Sequence, residues 1–407
     1  MNPVRIAFFT DSFHEVNGAA HTCRQYQVFA ERRGLPLLVV HSGPETRDFR
    51  QGSVSTLELK RGRATFAVDV DFGFDPLLWR YSKRIREALA TFKPDLVHII
   101  SPGDFSILGA CWAYRLGIPI VGSFHTNLHE FASARLQKIL RFVPTLPRQE
   151  ICHAVEQACA RGLLKYYEIP RLLLAPNPEI QQWLERATGR PCRLMRRGVD
   201  IGLFHPSRRD AKDDGIFRLG FVGRLMREKN LRLLVELERA LIDSGKTQYR
   251  FVIVGHGTER LWLEKNLLRA EFTGVLHGED LARAYANMDL FVFPSRADAF
   301  GNVVQEALAA GTPAVVTDRG GPKFLVNSGV TGYVAENDRE FIDRAISLMT
   351  DPETHWRMRR AARQAACSAS WDRVFEEVWE SYEFCLRLPG RKTAVLRDEP
   401  FASENAA

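Results

Sequence analysis

Residues 295–313, SRADAFGNVVQEALAAGTP, directly follow the apolar run LFVFP at 290–294. A short apolar run that ends in proline is typical of a buried strand. From Asn302 onward the apolar residues recur at helical spacing, and Gly311 and Pro313 predict the end of that helix. The stretch therefore predicts a strand, a polar loop and a helix in succession, which is the repeating unit of an α/β protein with a parallel sheet.

Two carboxylates stand eight residues apart in this unit. Asp298 is predicted to lie in the loop at the carboxyl end of the strand, and Glu306 to lie in the helix that follows. Four residues bring backbone amides to the start of the helix: Phe300, Gly301, Asn302 and Val303. Unpaired amides and the helix dipole favour an anion at such a position.

Short apolar runs alternate with amphipathic stretches along most of the chain. Strands are predicted at 4–9, 35–40, 96–100, 118–122, 217–222, 249–254, 290–293 and 314–316. Helices are predicted at 18–33, 76–92, 105–116, 230–243, 258–269, 281–287, 302–310, 356–366 and 372–386. This alternation predicts two Rossmann-like, doubly wound parallel sheets that face each other across a cleft at the carboxyl ends of their strands. A glycine- and proline-rich junction near 197–206 separates them.

Composition limits the class of protein. The chain has 407 residues, of which 45% are apolar and 26% charged, as in ordinary globular proteins of two or more domains. No apolar run approaches the roughly 18 residues of a membrane span, and no signal-peptide pattern opens the sequence, so we expect a cytoplasmic protein. The seven cysteines show no CxxC pair and no zinc-ligand spacing, so we predict no metal site.

The positive charge is unevenly distributed. Residues 1–204 contain 27 Lys and Arg against 19 Asp and Glu, whereas the remainder contains 29 against 30. Such asymmetry fits a nucleic acid, an anionic membrane surface or a phosphorylated substrate. Because no nucleic-acid-binding motif accompanies the charge, we predict that nucleic acid is not a partner.

Two cations follow the predicted strand at 217–222. Arg224 and Lys229 stand five residues apart across a loop and can converge on one diphosphate, the first as a planar fork and the second as a compact charge. The alternative is a pair of solvated surface charges. The strand before them and the glycine punctuation around them favour the phosphate role.

Five ordered motifs carry a resemblance to a known family. They are GRLMREKN at 223–230, VGHG at 254–257, FTG at 272–274, the segment 298–306 and GGP at 320–322. In this order they resemble the donor domain of retaining GT-B glycosyltransferases of family 4. Upstream, DSFHEVNGAAHT at 11–22 and SFHT at 123–126 resemble the acceptor domain of the branch that includes mannosyltransferases and sulfoquinovosyl or glucuronosyl lipid synthases.

The resemblance implies a GT-B fold. An acceptor-binding domain at 1–200 would be completed by a helix at 371–388 that returns to it, and a nucleotide-sugar-binding domain would occupy 201–370. The tail at 389–407 is predicted to be disordered.

The implied reaction transfers a hexose from a nucleotide-diphosphate sugar, GDP-mannose or a UDP-sugar, to a hydroxyl of a glycolipid, lipid or glycan. It would retain the anomeric configuration by same-face substitution, with no cofactor and no metal. The sequence does not assign the donor base, the acceptor or the oligomeric state.

The family pattern also implies roles for residues. Glu306 would hold the donor ribose, and Asp298, where much of the family has Glu, would bind hydroxyls of the donor sugar. His125 would bond that sugar. The remaining donor-binding residues are Asn17, Gly18, Gly223, Leu276, His277 and the four at the helix start. The alternatives are a helix cap for Asp298, a core histidine for His125 and an ordinary turn for Gly18.

Residues 133–143 combine apolar residues at helical spacing with Arg135, Lys138 and Arg141. We predict an amphipathic basic helix that touches an anionic membrane surface, which would place the protein peripherally on the inner face of the cytoplasmic membrane. The alternative is a helix docked on its own domain with a solvated basic face.

Two other functions fit parts of the pattern. One is a transfer-inactive, nucleotide-sugar-binding regulatory subunit on the same fold. The other is a Rossmann dehydrogenase, which is disfavoured because no GxGxxG follows the first strand.

Overall fold

The computed structural model describes residues 3–15, 18–63, 65–69, 72–124, 161–211 and 214–389. Within these ranges the chain forms two α/β halves, each with its own parallel sheet and its own buried core. Among the described residues no helix is both long enough and apolar enough to cross a membrane.

The described residues of the amino-terminal half form ten strands. They are β1 (Ile6–Thr10), β2 (Leu37–Gly43), β3 (Arg47–Gln51), β4 (Val54–Lys60), β5 (Phe66–Asp69), β6 (Phe72–Phe74), β7 (Leu96–Ile100), β8 (Ile120–Ser123), β9 (Leu172–Ala175) and β10 (Cys192–Leu194). Eight of them form one sheet in the order β10-β9-β8-β7-β1-β2-β4-β3, and β5 and β6 pair as a separate hairpin. Every pairing in the large sheet is parallel except that of β3 with β4.

Helices cover both faces of this sheet, and its central strands are therefore buried on both sides. They are α1 (Gly18–Arg32), α2 (Ser82–Phe92), α3 (Asp104–Arg115) and α4 (Pro178–Thr188), and residues 161–167 are also helical. The predicted helix at 76–92 is shorter than expected, since a 3-10 turn at Leu78–Tyr81 precedes α2.

The carboxyl-terminal half has six strands, all in parallel pairs, in the order β13-β12-β11-β14-β15-β16. The strands are β11 (Phe217–Val222), β12 (Tyr249–Val254), β13 (Ala270–Gly274), β14 (Leu290–Phe293), β15 (Ala314–Thr317) and β16 (Gly332–Ala335). The helices are α5 (Arg232–Asp243), α6 (Arg260–Asn266), α7 (Gly278–Asn287), α8 (Asn302–Ala309), α9 (Asp338–Thr350), α10 (Pro352–Cys367) and α11 (Trp371–Arg387).

The last helix, α11, leaves this half and packs against α1. Its apolar face joins the amino-terminal core, in which Phe375 and Val378 are fully buried. Burying side chains of this size contributes roughly 1.5–3 kcal/mol each. The return of this helix was implied by the resemblance, and the structure has it.

A buried chain of hydrogen bonds fixes α11 in that place. The Tyr382 hydroxyl lies 2.6 Å from the Tyr26 hydroxyl and 2.7 Å from Nδ1 of His98. Nε2 of His98 in turn meets the Ser123 hydroxyl at 2.5 Å. Burial lowers the pKa of His98 to about 3, so its imidazole is neutral and can donate on one side and accept on the other. These hydrogen bonds connect α1, β7, β8 and α11.

Several strands were not predicted from the sequence. β3 is exposed at every position and β4 alternates polar with apolar residues, so neither has the apolar run used to predict the others. β9, β10, β13 and β16 were also missed, and all four are only three to five residues long.

Candidate active site

The order of strands reverses between β11 and β14. From β11 the sheet proceeds through β12 to β13 in one direction, and from β14 through β15 to β16 in the other. In an open parallel sheet the crevice at the carboxyl ends of such a pair of strands is the usual place for a ligand. The two loops that leave this point are those with the predicted cations and carboxylates.

The loop after β11 is attached to its neighbour by backbone contacts. The amide of Gly223 donates to the Val254 carbonyl at 3.0 Å, and the amide of Leu225 donates to the His256 carbonyl at 2.9 Å. Gly255 has φ +136°, and a Cβ added to it would stand 2.0 Å from the Gly223 carbonyl oxygen. The glycines of the first two motifs thus let two loops lie backbone against backbone.

Lys229 ends a 3-10 turn, Arg227–Lys229, and points to the loop after β14. Its ammonium lies 2.7 and 2.8 Å from the two carboxylate oxygens of Asp298. The two side chains are 12% and 21% exposed. The structure therefore joins two of the predicted site residues in a largely buried ion pair across the switch point.

Asp298 is held from a second side as well. The Ser295 hydroxyl donates to Oδ2, and the amide of Gly321 donates to the Asp298 backbone carbonyl at 2.6 Å. The alternative role as a helix cap is wrong, because Gly301 occupies the cap position of α8 and no side chain bonds to that cap. Gly301 has φ +97°, a left-handed conformation that favours glycine.

Arg224 is exposed and has no ion-pair partner in the described part of the chain. It shares the loop with Lys229, but the two side chains differ in environment. The guanidinium is open to solvent, whereas the ammonium is bonded to Asp298. Convergence of the two cations on one diphosphate remains a prediction.

Glu306 lies in the second turn of α8 and is half-buried. Its Oε2 accepts a hydrogen bond of 2.8 Å from the hydroxyl of Tyr285, a fully buried residue of α7. Burial raises the pKa of Glu306 to about 7, and the bond from Tyr285 partly opposes that rise by favouring the ionised form. Burial and the neighbouring carboxylate also raise the pKa of Tyr285.

Tyr285 was not among the predicted site residues. It lies 21 residues before Glu306 on an amphipathic helix, where a tyrosine is ordinarily a core residue. Only the packing of α7 beside α8 brings its hydroxyl to the carboxylate. Sequence spacing carried no signal of that contact.

The two halves meet at the start of α8. A Cβ added to Gly18, the first residue of α1, would stand 2.6 Å from Nδ2 of Asn302. Beside this contact, Nδ2 of Asn177 donates to the Ala299 carbonyl at 2.7 Å. Glu179 also forms an ion pair with Lys323. The starts of α1, α4 and α8 therefore border one cleft, and glycine at position 18 permits the approach.

Leu276 and His277 lie in the loop after β13, on the same sheet edge. Leu276 packs partly against the core, and His277 is exposed at the residue before α7. Asn17, His125 and the segment 133–143 lie outside the described residues, as does the chain from 390 onward. The predictions made for them stay predictions.

Comparison with protein families gives two matches. A model described as Glycosyltransferase Family 4 matches residues 16–178, and one described as Glycosyl transferases group 1 matches residues 216–351. The two matches correspond to the two halves of the structure.

Curated relatives cover most of the chain. A GDP-mannose-dependent alpha-mannosyltransferase of Mycobacterium tuberculosis is 34% identical over 322 residues, 76% of this chain and 77% of the relative. A protein of the same name from Corynebacterium glutamicum is 29% identical over 404 residues, 95% of this chain and 88% of the relative. The sulfoquinovosyl transferase SQD2 of Arabidopsis thaliana is 29% identical over 313 residues, 73% of this chain and 58% of the relative.

Solved structures support the architecture. Sucrose-phosphate synthase of Thermosynechococcus elongatus aligns with a TM-score of 0.68 at 19% identity, over 94% of this chain and 98% of the other. HepE of Anabaena, solved in complex with UDP and glucose, aligns with a TM-score of 0.64 at 17% identity, over 93% and 99%. At such identities the likeness is one of fold, and the predicted GT-B arrangement of two Rossmann-like halves is confirmed.

Proposed function

The chain belongs to glycosyltransferase family 4 and is a glycosyltransferase with the GT-B fold. We propose that it transfers a mannosyl group from GDP-mannose to a hydroxyl of a lipid or glycan. The transfer would retain the anomeric configuration and would need no metal. The observation that carries the proposal is the position of Lys229. It is a largely buried cation at the switch point of the donor-side sheet, held there by Asp298.

Lys229 has one N–H left for a ligand. An ammonium has three donors, and two of them are directed at the oxygens of Asp298. The third is available to an oxygen of the donor diphosphate. Arg224, exposed in the same loop, would supply a second cation. Fixed cations at a leaving diphosphate stabilise the negative charge that develops in the transition state.

In the proposed step, the bond between the anomeric carbon and the diphosphate oxygen breaks while a bond to the acceptor oxygen forms on the same face. The acceptor proton passes to the leaving phosphate oxygen, so no protein carboxylate is required as nucleophile or general base. The two cations would neutralise the diphosphate in the way that a divalent ion does in metal-dependent transferases.

The other residues of the cleft would hold the donor. Glu306, oriented by Tyr285, would accept from both ribose hydroxyls when ionised. Asp298 keeps one lone pair, on Oδ1, beside its bonds to Lys229 and Ser295, and this lone pair would accept from a hydroxyl of the sugar. The amides at the start of α8 would face the diphosphate. His125 would bond the sugar from the amino-terminal half.

GDP-mannose is preferred as donor because the relatives from Mycobacterium tuberculosis and Corynebacterium glutamicum are named for it. Their names also specify an alpha product. Since GDP-mannose carries its own sugar in α linkage, an alpha product corresponds to retention. A UDP-sugar, the other donor that the family resemblance implies, is the alternative.

The charge of the amino-terminal half indicates the class of acceptor. The excess of Lys and Arg in residues 1–204 favours an anionic acceptor or an anionic membrane surface, and 133–143 would be the segment that touches it. A transfer-inactive regulatory subunit is not favoured, because the chain has all three of the residues proposed to hold the donor: Lys229, Asp298 and Glu306.

A panel of thermal shifts tests the donor. GDP-mannose, UDP-glucose, UDP-glucuronate and UDP-N-acetylglucosamine are each added to the full chain, with Lys229→Ala as the comparison. A ligand that binds only the folded state raises the melting temperature. We expect GDP-mannose to raise it most and the variant to lose most of that shift. A rise in melting temperature with UDP-sugars alone would change the assigned donor from GDP-mannose to a UDP-sugar. If none of the four ligands raised it, the proposed function would be contradicted.

A further inference from the structure

Three side chains that could bind a metal ion come together in the amino-terminal half, outside the residues assigned to the donor. They are His14 in the loop after β1, His41 on β2 and Glu58 on β4. One candidate ligand atom from each lies within 4.8 Å of the other two. We propose that these residues form a binding site for a divalent transition-metal ion of the zinc class, one that attaches the loop after β1 to the sheet.

The carboxylate of Glu58 is buried, and only one of its two oxygens has a hydrogen-bond partner among the described residues. Glu58 is 1% exposed, and its Oε2 accepts from Nε and Nη2 of Arg47 at 3.1 and 2.9 Å. Its Oε1 is buried and has no hydrogen-bond partner among the described residues. A buried carboxylate oxygen without a partner is costly, so its presence calls for a ligand. A cation at this place would satisfy it.

The chain makes room for that oxygen. A Cβ added to Gly43, at the end of β2, would stand 1.9 Å from Oε1 of Glu58. Glycine at this position therefore lets the carboxylate turn toward the histidines. The backbone there needs no positive φ, so the close approach is the reason for glycine that the structure provides.

The imidazole of His41 is oriented as that of a metal ligand would be. Its Nδ1 lies 2.8 Å from the Ser42 carbonyl oxygen, which can only accept, so Nδ1 carries the proton. Nε2 therefore presents a lone pair. A ligating histidine that donates its other N–H to a backbone carbonyl is the usual arrangement in metal sites.

His14, in the loop after β1, completes the set. Its ring centroid lies 5.2 Å from that of His41, and Phe13 stacks on His41 at 4.0 Å. His14 is exposed, so the cluster has one side open to solvent. Two histidines and one glutamate with an open fourth position match a known set of zinc ligands. Because zinc ligands stand roughly 3.4 Å apart at bond lengths of about 2.1 Å, binding would need only a small inward movement.

Binding of the ion would attach the loop that leads to α1 to strands β2 and β4 of the sheet. His14 lies four residues before Gly18, which borders the cleft against Asn302. The ion would take no part in the donor chemistry proposed above, which relies on Arg224 and Lys229 in the other half. The proposal does not depend on the donor or the acceptor.

Metal binding is tested on the full chain without an activity assay. The protein is treated with EDTA, dialysed and titrated with ZnCl₂ by calorimetry. Three proteins are compared: wild type, His14→Ala and His256→Ala. His14 is exposed, so its loss should leave the fold intact, which circular dichroism checks. His256 is an exposed histidine on a loop of the other half and serves as the matched control.

We expect one zinc ion per chain in the wild type and in His256→Ala, and at least a 10-fold weaker affinity in His14→Ala, the scale that loss of even an outer-shell partner produces. Zinc should also raise the melting temperature of the wild type, and EDTA should reverse that rise. Absence of zinc binding to the wild type would overturn the proposal. Equal binding by wild type and His14→Ala would overturn it as well, since the ion would then lie elsewhere.

Discussion

The ammonium of Lys229 is bonded to both carboxylate oxygens of Asp298, at 2.7 and 2.8 Å, across the point where the strand order of the second sheet reverses. Both side chains are mostly buried, so either charge would be costly to bury without the other. We expect Asp298→Asn to lower the free energy of unfolding by about 1–3 kcal/mol, because the ammonium loses its charged partner. Urea denaturation measures the change.

An exposed pair gives the control for that substitution. Arg339 and Asp343 are bonded at 3.0 Å on α9, with side chains 85% and 55% exposed. Asp343→Asn should change the free energy of unfolding by no more than about 0.5 kcal/mol. Equal losses for the two substitutions would show that the buried pair is as weak as a surface pair.

Glu306 predicts a pH dependence of stability. Its pKa is about 7 in the folded chain, above the ordinary value of 4.5. The folded state therefore holds a proton that the unfolded state has released, and the free energy of unfolding should fall as pH rises from 4.5 to 7 and level off above 7. Glu306→Gln should remove this part of the slope. A slope unchanged in the variant, measured by urea denaturation across this range, would assign it to other groups.

The same group predicts a pH dependence of donor binding. Only the ionised carboxylate can accept from both ribose hydroxyls, so the affinity for GDP should rise between pH 6 and 8 with a midpoint near 7. Tyr285→Phe should move that midpoint upward, because the Tyr285 hydroxyl stabilises the ionised form. Calorimetric titrations of wild type and variant at several pH values measure both. A midpoint moved downward in Tyr285→Phe would contradict the assigned hydrogen bond.

The contact between α11 and the amino-terminal half can be tested at Tyr382. Tyr382→Phe removes a hydroxyl that meets both Tyr26 and His98, and leaves two buried groups without a partner. We expect the free energy of unfolding to fall by about 1–3 kcal/mol. Tyr114→Phe, at a residue 48% exposed, is the matched control and should have little effect. If both variants were equally stable, the buried chain of hydrogen bonds would not be what fixes α11.

Much of the fold could be predicted because its central strands are short apolar runs. β14 and α8 were predicted almost to the residue, since Pro294 and Gly311 mark their limits. β3 could not be, because RDFRQ is an exposed edge strand with a single apolar residue. Edge strands pair through their backbone, which the pattern of side chains does not report.

The site was predicted less fully than the fold. The motifs located Lys229, Asp298 and Glu306 at one sheet edge, because carboxyl ends of parallel strands meet there. They could not show that Lys229 bonds to Asp298 or that Tyr285 bonds to Glu306, since both contacts join elements far apart in sequence. The cluster at His14, His41 and Glu58 was also missed, because its spacing fits no zinc motif.

The most direct test of the account is the release of GDP from GDP-mannose in the presence of EDTA and a lipid extract as acceptor. We expect turnover by the wild type without a metal, and a rate at least about 100-fold lower for Lys229→Ala, the scale on which loss of one transition-state donor acts. We also expect mannose to appear in the lipid fraction. Equal rates for the two proteins, or turnover that EDTA abolishes in the folded wild type, would contradict it.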